Sequence, residues 1–191
     1  HVGNPHRGFD ADDLGSGFRR CLDEWTRLTP NVHVWHYATN FGHYLAPNPN
    51  LQGLAKDLKA YAAQGVHGVM VQGNYQSPGG EIAELRQYLI SRLLWDPSSD
   101  PETLREEFCR GYYGESAELV LEFLELLDAE ALHPDNRPTM TGYANWDPVE
   151  TVSPAFVEAG LAVMDRASAS AYPDVVRERL AKLRLPLRYM Q

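Results

Sequence analysis

After Asp13 the apolar residues Leu14, Phe18, Cys21, Leu22, Trp25 and Leu28 recur at the spacing of one helix face, and Thr29-Pro30-Asn31 closes the stretch. Asp13 is the expected N-cap. Val32 to Tyr37 is β-branched and aromatic and too short for an ordinary helix, so it predicts a strand. Residues 38–50, rich in Asn, Gly, His and Pro, predict a long loop. The plan then repeats. Asn50 is placed to cap a helix carrying Leu51, Leu54, Leu58 and Tyr61, Gly65 supplies a left-handed terminator, and Val66 to Gln72 predicts the second strand. A loop from Gly73 to Gly80 leads into a third helix with Ile82, Leu85, Leu89, Leu93 and Leu94 on one face.

The order α-β-α-β-α implies an α/β fold with parallel strands and helices packed outside them. The connections entering the strands are tight, whereas the loops leaving them are long, aromatic and polar. In α/β folds the exit side is where sites are built. Two parallel strands cannot close a barrel and leave both edges unpaired. The pattern is therefore that of a doubly wound sheet or of the C-terminal α/β units of a (β/α)8-type barrel, with more strands expected upstream.

Beyond Trp95-Asp96-Pro97 the strand signals stop. Asp100 and Pro101 form a cap-and-proline start for a helix through Leu104 and Phe108, which Gly114 breaks; Leu119 to Leu127 forms another. A loop over residues 133–151 precedes Ser153-Pro154, which opens a helix through Phe156, Leu161 and Met164. Asp174 starts the last helix, and Pro186 is expected to end or kink it. Residues 1–97 thus read as the barrel part and residues 98–191 as a mostly helical extension.

Composition narrows the partners. Lys and Arg total 17 against 26 Asp and Glu, a net charge of -9, which argues against nucleic acid and anionic membranes. No apolar run approaches the roughly 20 residues that span a bilayer, so a soluble protein is expected. Cys21 and Cys109 both lie in apolar helical patterns and are expected to be buried, inert thiols. The chain opens His1-Val2-Gly3-Asn4-Pro5 with no initiator Met, which suggests a processed or truncated start. The compartment, whether cytoplasmic, periplasmic or extracellular, and the oligomeric state stay open.

One combination of segments is specific. Gly73-Asn74-Tyr75-Gln76-Ser77-Pro78-Gly79-Gly80-Glu81, followed by Glu84 to Leu89 and by Leu93-Leu94-Trp95-Asp96-Pro97, resembles the bacterial family named domain of unknown function 4838. Trp35-His36-Tyr37 with Asn40 to Tyr44, Gly65 to Val69, Gly111-Tyr112-Tyr113-Gly114 and Arg184-Leu185-Pro186-Leu187 look like it too. The likeness runs from about Phe18 onward and is to the family's C-terminal part. It implies a relation to barrel glycoside hydrolases, near α-glucuronidases and β-hexosaminidases, whose last barrel helix and helical extension the Trp-Asp-Pro ending is similar to. A carbohydrate substrate is what this resemblance implies. It also implies an acidic residue in many relatives where this chain has Val71, which puts a catalytic role at that position in doubt.

The candidate chemistry follows the exit loops. Trp35, Tyr37 and Tyr44 lie at or beyond the end of the first strand, where an aromatic face can stack on the C–H face of a sugar. Asn40 and His43 suit its hydroxyls. Gln72, Asn74 and Tyr75 hold the matching place after the second strand. Trp35 has a rival reading as a core side chain, because barrel strands are buried on both faces. Glu81 follows two glycines at a helix start, where amides and dipole are expected to keep it ionised, fit for a nucleophile, a base or a hydroxyl acceptor. The rival is an acid that only stabilises its own helix.

Glycosidic cleavage needs two carboxyl groups, about 5 Å apart for retention or more than about 6.5 Å for inversion. Glu81 is the one candidate here, so its partner is expected from strands outside these residues. Strand alternation points His33 and His36 apart, and no Cys or carboxylate pair completes a set with His43, so no metal is expected. Gly79-Gly80 lacks a following Lys, so no nucleotide or other cofactor is expected. Glu106-Glu107 and the acidic positions from Glu122 to Glu130 read as solvated helix faces. The expected function is one wall of the sugar-binding cleft of a glycoside-hydrolase-like enzyme. The alternatives are a non-catalytic carbohydrate-binding protein on a hydrolase scaffold, or a helical interaction module.

Overall fold

The computed structural model describes residues 13–77, 79–132, 152–169 and 172–191. The loop expected over residues 133–151 lies outside these. The elements run α1 (Asp13–Leu28), β1 (His33–Tyr37), α2 (Leu51–Ala63), β2 (Gly68–Gln72), α3 (Ala83–Trp95), α4 (Pro101–Tyr113), a 3-10 turn (Gly114–Ser116), α5 (Ala117–Glu130), α6 (Pro154–Ala169) and α7 (Asp174–Tyr189). The described residues are mostly helical with a two-stranded sheet. None of their helices is long and apolar enough to cross a membrane.

The strands pair in parallel, His33 opposite Gly68 through Tyr37 opposite Gln72. Gly65 ends α2 with φ 75, the left-handed conformation that its lack of a Cβ permits. The Val66 amide then donates to the Tyr61 carbonyl at 3.0 Å and so belongs to the helix end, the His67 amide donates to the Val32 carbonyl at 2.8 Å, and the strand runs from Gly68 rather than Val66. Val34, Val69 and Val71 pack toward the buried cluster. Across the sheet Trp35 and Met70, paired in register, stay 62% and 42% exposed.

His36 sits on the packed face, buried, with Nδ1 3.1 Å from the Tyr61 hydroxyl. Burial pulls its pKa down from 6.5 to about 4, so the fold holds the ring neutral. The stability this contributes is present above pH 6.5 and is lost as pH falls toward 4, because the unfolded chain takes up the proton first. A loss approaching ~3 kcal/mol is expected over that window, and a His36→Gln variant should show a correspondingly flatter stability profile in urea titrations between pH 7 and 4. Equal slopes in the two proteins would remove His36 from the account.

From α3 onward the helices pack in sequence, α3 on α4, α4 on α5, α5 on α6 and α6 on α7. Phe123, Leu124, Leu127, Met164, Leu180 and Leu187 are fully buried between them, in one cluster with Leu54 of α2 and Leu93 of α3. Asp100 caps α4 as expected, its carboxylate accepting from the Thr103 amide at 2.8 Å. The Ser153 hydroxyl accepts from the Phe156 amide at 3.1 Å and so opens α6.

Several expectations are corrected. Cys21 is exposed while Cys109 is buried, because only part of the apolar stripe of α1 meets a neighbour: Leu22 is buried, but Trp25 and Leu28 are 58% and 77% exposed. Asn50 occupies the N-cap of α2 without capping it, since its side chain is drawn to the Ala38 carbonyl instead, at 3.0 Å. Glu130 is not solvated: it is buried and accepts from the Ser153 amide and hydroxyl at 2.7 and 2.8 Å. The last helix does not end at Pro186 but continues to Tyr189, with the proline ring buried against the core side.

Candidate functional site

Both loops that leave the strands are tied down by short polar contacts. The Asn40 carbonyl oxygen of the side chain accepts from the Gly42 and His43 amides at 3.0 and 3.2 Å, a local turn that an Asx residue supplies readily. The Glu81 amide donates to the Tyr44 carbonyl at 2.8 Å, which joins the first loop to the second. A Cβ on Gly80 would stand 3.2 Å from that same carbonyl and 3.4 Å from the Asn74 side chain, so glycine there permits the close approach. Asn74 in turn donates to the Ser77 carbonyl at 3.4 Å.

Beneath the loops Arg86 of α3 is the hub. Its guanidinium donates to the Glu81 carbonyl at 2.5 Å, to Glu81 Oε2 at 2.6 Å, to Asn50 Oδ1 at 3.3 Å and to the Asn48 carbonyl at 3.4 Å. Arg86, Glu81, Asn48 and Asn50 are all buried. Glu81 therefore differs from expectation. It precedes the N-cap of α3, Ile82, which is left-handed at φ 39, so the carboxylate lies beside Arg86 and not against the helix amides. Burial pushes the Glu81 carboxyl above its usual range, while Arg86 pulls the other way. The left-handed Ile82 carries backbone strain of about 1–3 kcal/mol, stored where the second loop turns into α3.

Above this hub an open groove of about 610 Å3 is lined by Gly42, His43, Tyr44 and Leu45 of the first loop, Ser77, Gly79 and Gly80 of the second, and Lys182, Leu185 and Tyr189 of α7. Its volume is that of a small-ligand site. His43 Nδ1 lies 2.6 Å from the Tyr189 hydroxyl, and Lys182 is ion-paired with Glu84. Two buried polar atoms, the Asn40 side-chain amide nitrogen and the Tyr44 hydroxyl, have no hydrogen-bond partner among the described residues. Such groups cost about 1–3 kcal/mol when left unmade.

Of the residues predicted from sequence, His43 and Tyr44 line the groove. Asn40 and Asn74 shape its loops. Tyr37, Tyr44 and Tyr75 surround Phe41, with ring centroids 5.5, 6.0 and 6.2 Å from it. Trp35 and Gln72 are elsewhere: the indole N–H donates to Gln72 Oε1 at 2.9 Å on the open sheet face, where Trp35 borders a second depression of about 530 Å3 with Phe18 and Trp25. Trp35 is thus not a core side chain among the described residues. Glu81 is buried below the groove.

Sequence reasoning missed Phe41, Arg86, Lys182, Leu185 and Tyr189. Arg86 had a signal, a lone charge between Leu85 and Leu89 on an apolar face, five residues from Glu81. Phe41 stood in the aromatic loop unremarked. Nothing in sequence ties the α7 residues to these loops, which lie more than a hundred positions away. Among the described residues no group of three His, Cys, Asp or Glu side chains is placed to hold a metal.

No curated protein matches the chain, and no solved structure does. One family profile matches, over residues 5–125, which spans α1 through most of α5. The chain belongs to that family, described as a domain of unknown function (DUF4838).

Proposed function

We propose that this chain supplies one wall of a sugar-binding cleft in a glycoside-hydrolase-like enzyme, at the exit face of a (β/α)8-type barrel whose remaining strands come from outside these residues. The observation that carries the reading is the groove itself: aromatic and aliphatic surface from Tyr44, Leu45, Leu185 and Tyr189 beside the polar edges of His43 and the Tyr189 hydroxyl. A pyranose presents the same pair of surfaces, an apolar C–H face and a polar rim. The open Trp35 and Met70 face, and the outer sheet edges that no strand among the described residues pairs, support further strands beside it.

Glu81 enters this reading as a positioning residue. Its carboxylate is buried and matched by Arg86, so it holds the two loops together rather than facing a scissile bond. The catalytic carboxyl pair then belongs to strands outside these residues. That arrangement also favours the alternative, a carbohydrate-binding protein on a hydrolase scaffold, since Val71 is apolar and packs toward the core.

The native protein assayed on a panel of oligosaccharides separates the two. Release of new reducing ends supports the hydrolase, and saturable binding without release supports the binding protein. In either case Tyr44→Ala is expected to weaken the interaction about tenfold or more, as loss of a central aromatic anchor does. Unchanged behaviour of that variant would remove the groove from consideration.

A further inference from the structure

The two walls of the groove come from distant parts of the chain. Residues 42–45 and 77–80 fall inside the family-matched region, whereas α7 begins at Asp174, beyond residue 125. Lys182, Leu185 and Tyr189 are spaced three and four apart, so they share one face of α7. The opposite face, with Val176, Leu180, Leu183 and Leu187, is buried in the core. Leu185 and Tyr189 nevertheless stay 47% and 44% exposed at the groove. The bond between the Tyr189 hydroxyl and His43 fixes the tyrosine ring against the first loop.

We propose that this face of α7 is the specificity-determining wall, with Leu185 and the Tyr189 ring packing on the C–H face of a pyranose whose hydroxyls meet the polar edge of His43. The inference rests on the carbohydrate reading of the groove. It also narrows the sugar. The Lys182 ammonium at the groove is matched by Glu84, which removes the charge complementarity an acidic sugar would need, so the wall suits neutral hexopyranosyl units. Selection among sugars then resides in α7, while the two loops supply the opposite side of the groove.

The test is to titrate the native protein and its Tyr189→Phe, Tyr189→Ala, Leu185→Asn and Tyr44→Ala variants with neutral hexo-oligosaccharides and their uronic-acid counterparts, with thermal unfolding as the check on folding. Neutral sugars should bind better. Tyr189→Ala and Leu185→Asn should lose about tenfold on the preferred sugar and flatten the differences across the panel, while Tyr189→Phe, which keeps the ring, retains most of the affinity. If Tyr44→Ala abolishes binding but the α7 variants leave the order of affinities unchanged, or if the acidic sugars bind better, the role of α7 is overturned while the groove stands. If the native protein binds none of the panel, the carbohydrate reading fails and takes this inference with it.

Discussion

Replacing Arg86 with Met is expected to destabilise the protein by about 3–5 kcal/mol, because it leaves the buried Glu81 carboxylate with no countercharge. The effect exceeds that of an ordinary ion pair for a structural reason. The same guanidinium also satisfies the carbonyls of Glu81 and Asn48 and the side chain of Asn50, so its loss strands several buried acceptors at once. Denaturant unfolding measures it. Adding Glu81→Leu to the variant should recover part of the loss by removing the unpaired charge, though not the part due to Asn48 and Asn50. A single Arg86→Met variant of native stability would mean that the hub does not hold the loops.

Phe123→Ala carries a similar expected loss, about 3–5 kcal/mol, for a different reason. The ring is 2% exposed, lies 5.8 Å from that of Phe156, and stands 3.2 Å from where a Cβ on Gly160 would be. Leu187 presses on the same glycine at 3.1 Å, so α5, α6 and α7 meet there with no slack. Removing the ring opens a cavity that helices packed this closely cannot fill by a small shift. Because α7 bears one wall of the groove, ligand affinity should fall together with stability. Loss of less than 1 kcal/mol in a urea titration would show that the helices close around the gap.

The same physics explains what could be read from residue order. Parallel strands, tight entries and long exit loops were legible because strands and turns are specified over a few neighbouring residues, as at Gly65, Asp100 and Ser153. What escaped depends on what meets a surface. Periodicity marks Cys21, Trp25 and Leu28 as sharing the apolar stripe of α1, but it carries no information on whether anything covers that stripe, and they stay exposed. Glu81 departs from the sequence expectation because a left-handed turn at a β-branched residue, Ile82, has no local signature and moves the carboxylate off the helix amides.

The candidate site was half legible. His43 and Tyr44 were found because exit loops are short-range features, and Asn40 because an Asx turn is one. Tyr189 reaches His43 across 146 positions of sequence, and a contact at that separation is fixed by the packing of α4, α6 and α7 rather than by anything near either residue. Trp35 lies in β1 as expected, yet it borders a different depression from the groove.

The central claim is that a saccharide occupies the groove between the exit loops and α7. Amide hydrogen exchange of the native protein, with and without a saturating oligosaccharide, tests it most directly. Protection confined to residues 42–45, 77–80 and the last turns of α7 is the predicted result. Protection centred on the Trp35 and Met70 face, or an exchange pattern that no oligosaccharide changes, would contradict it.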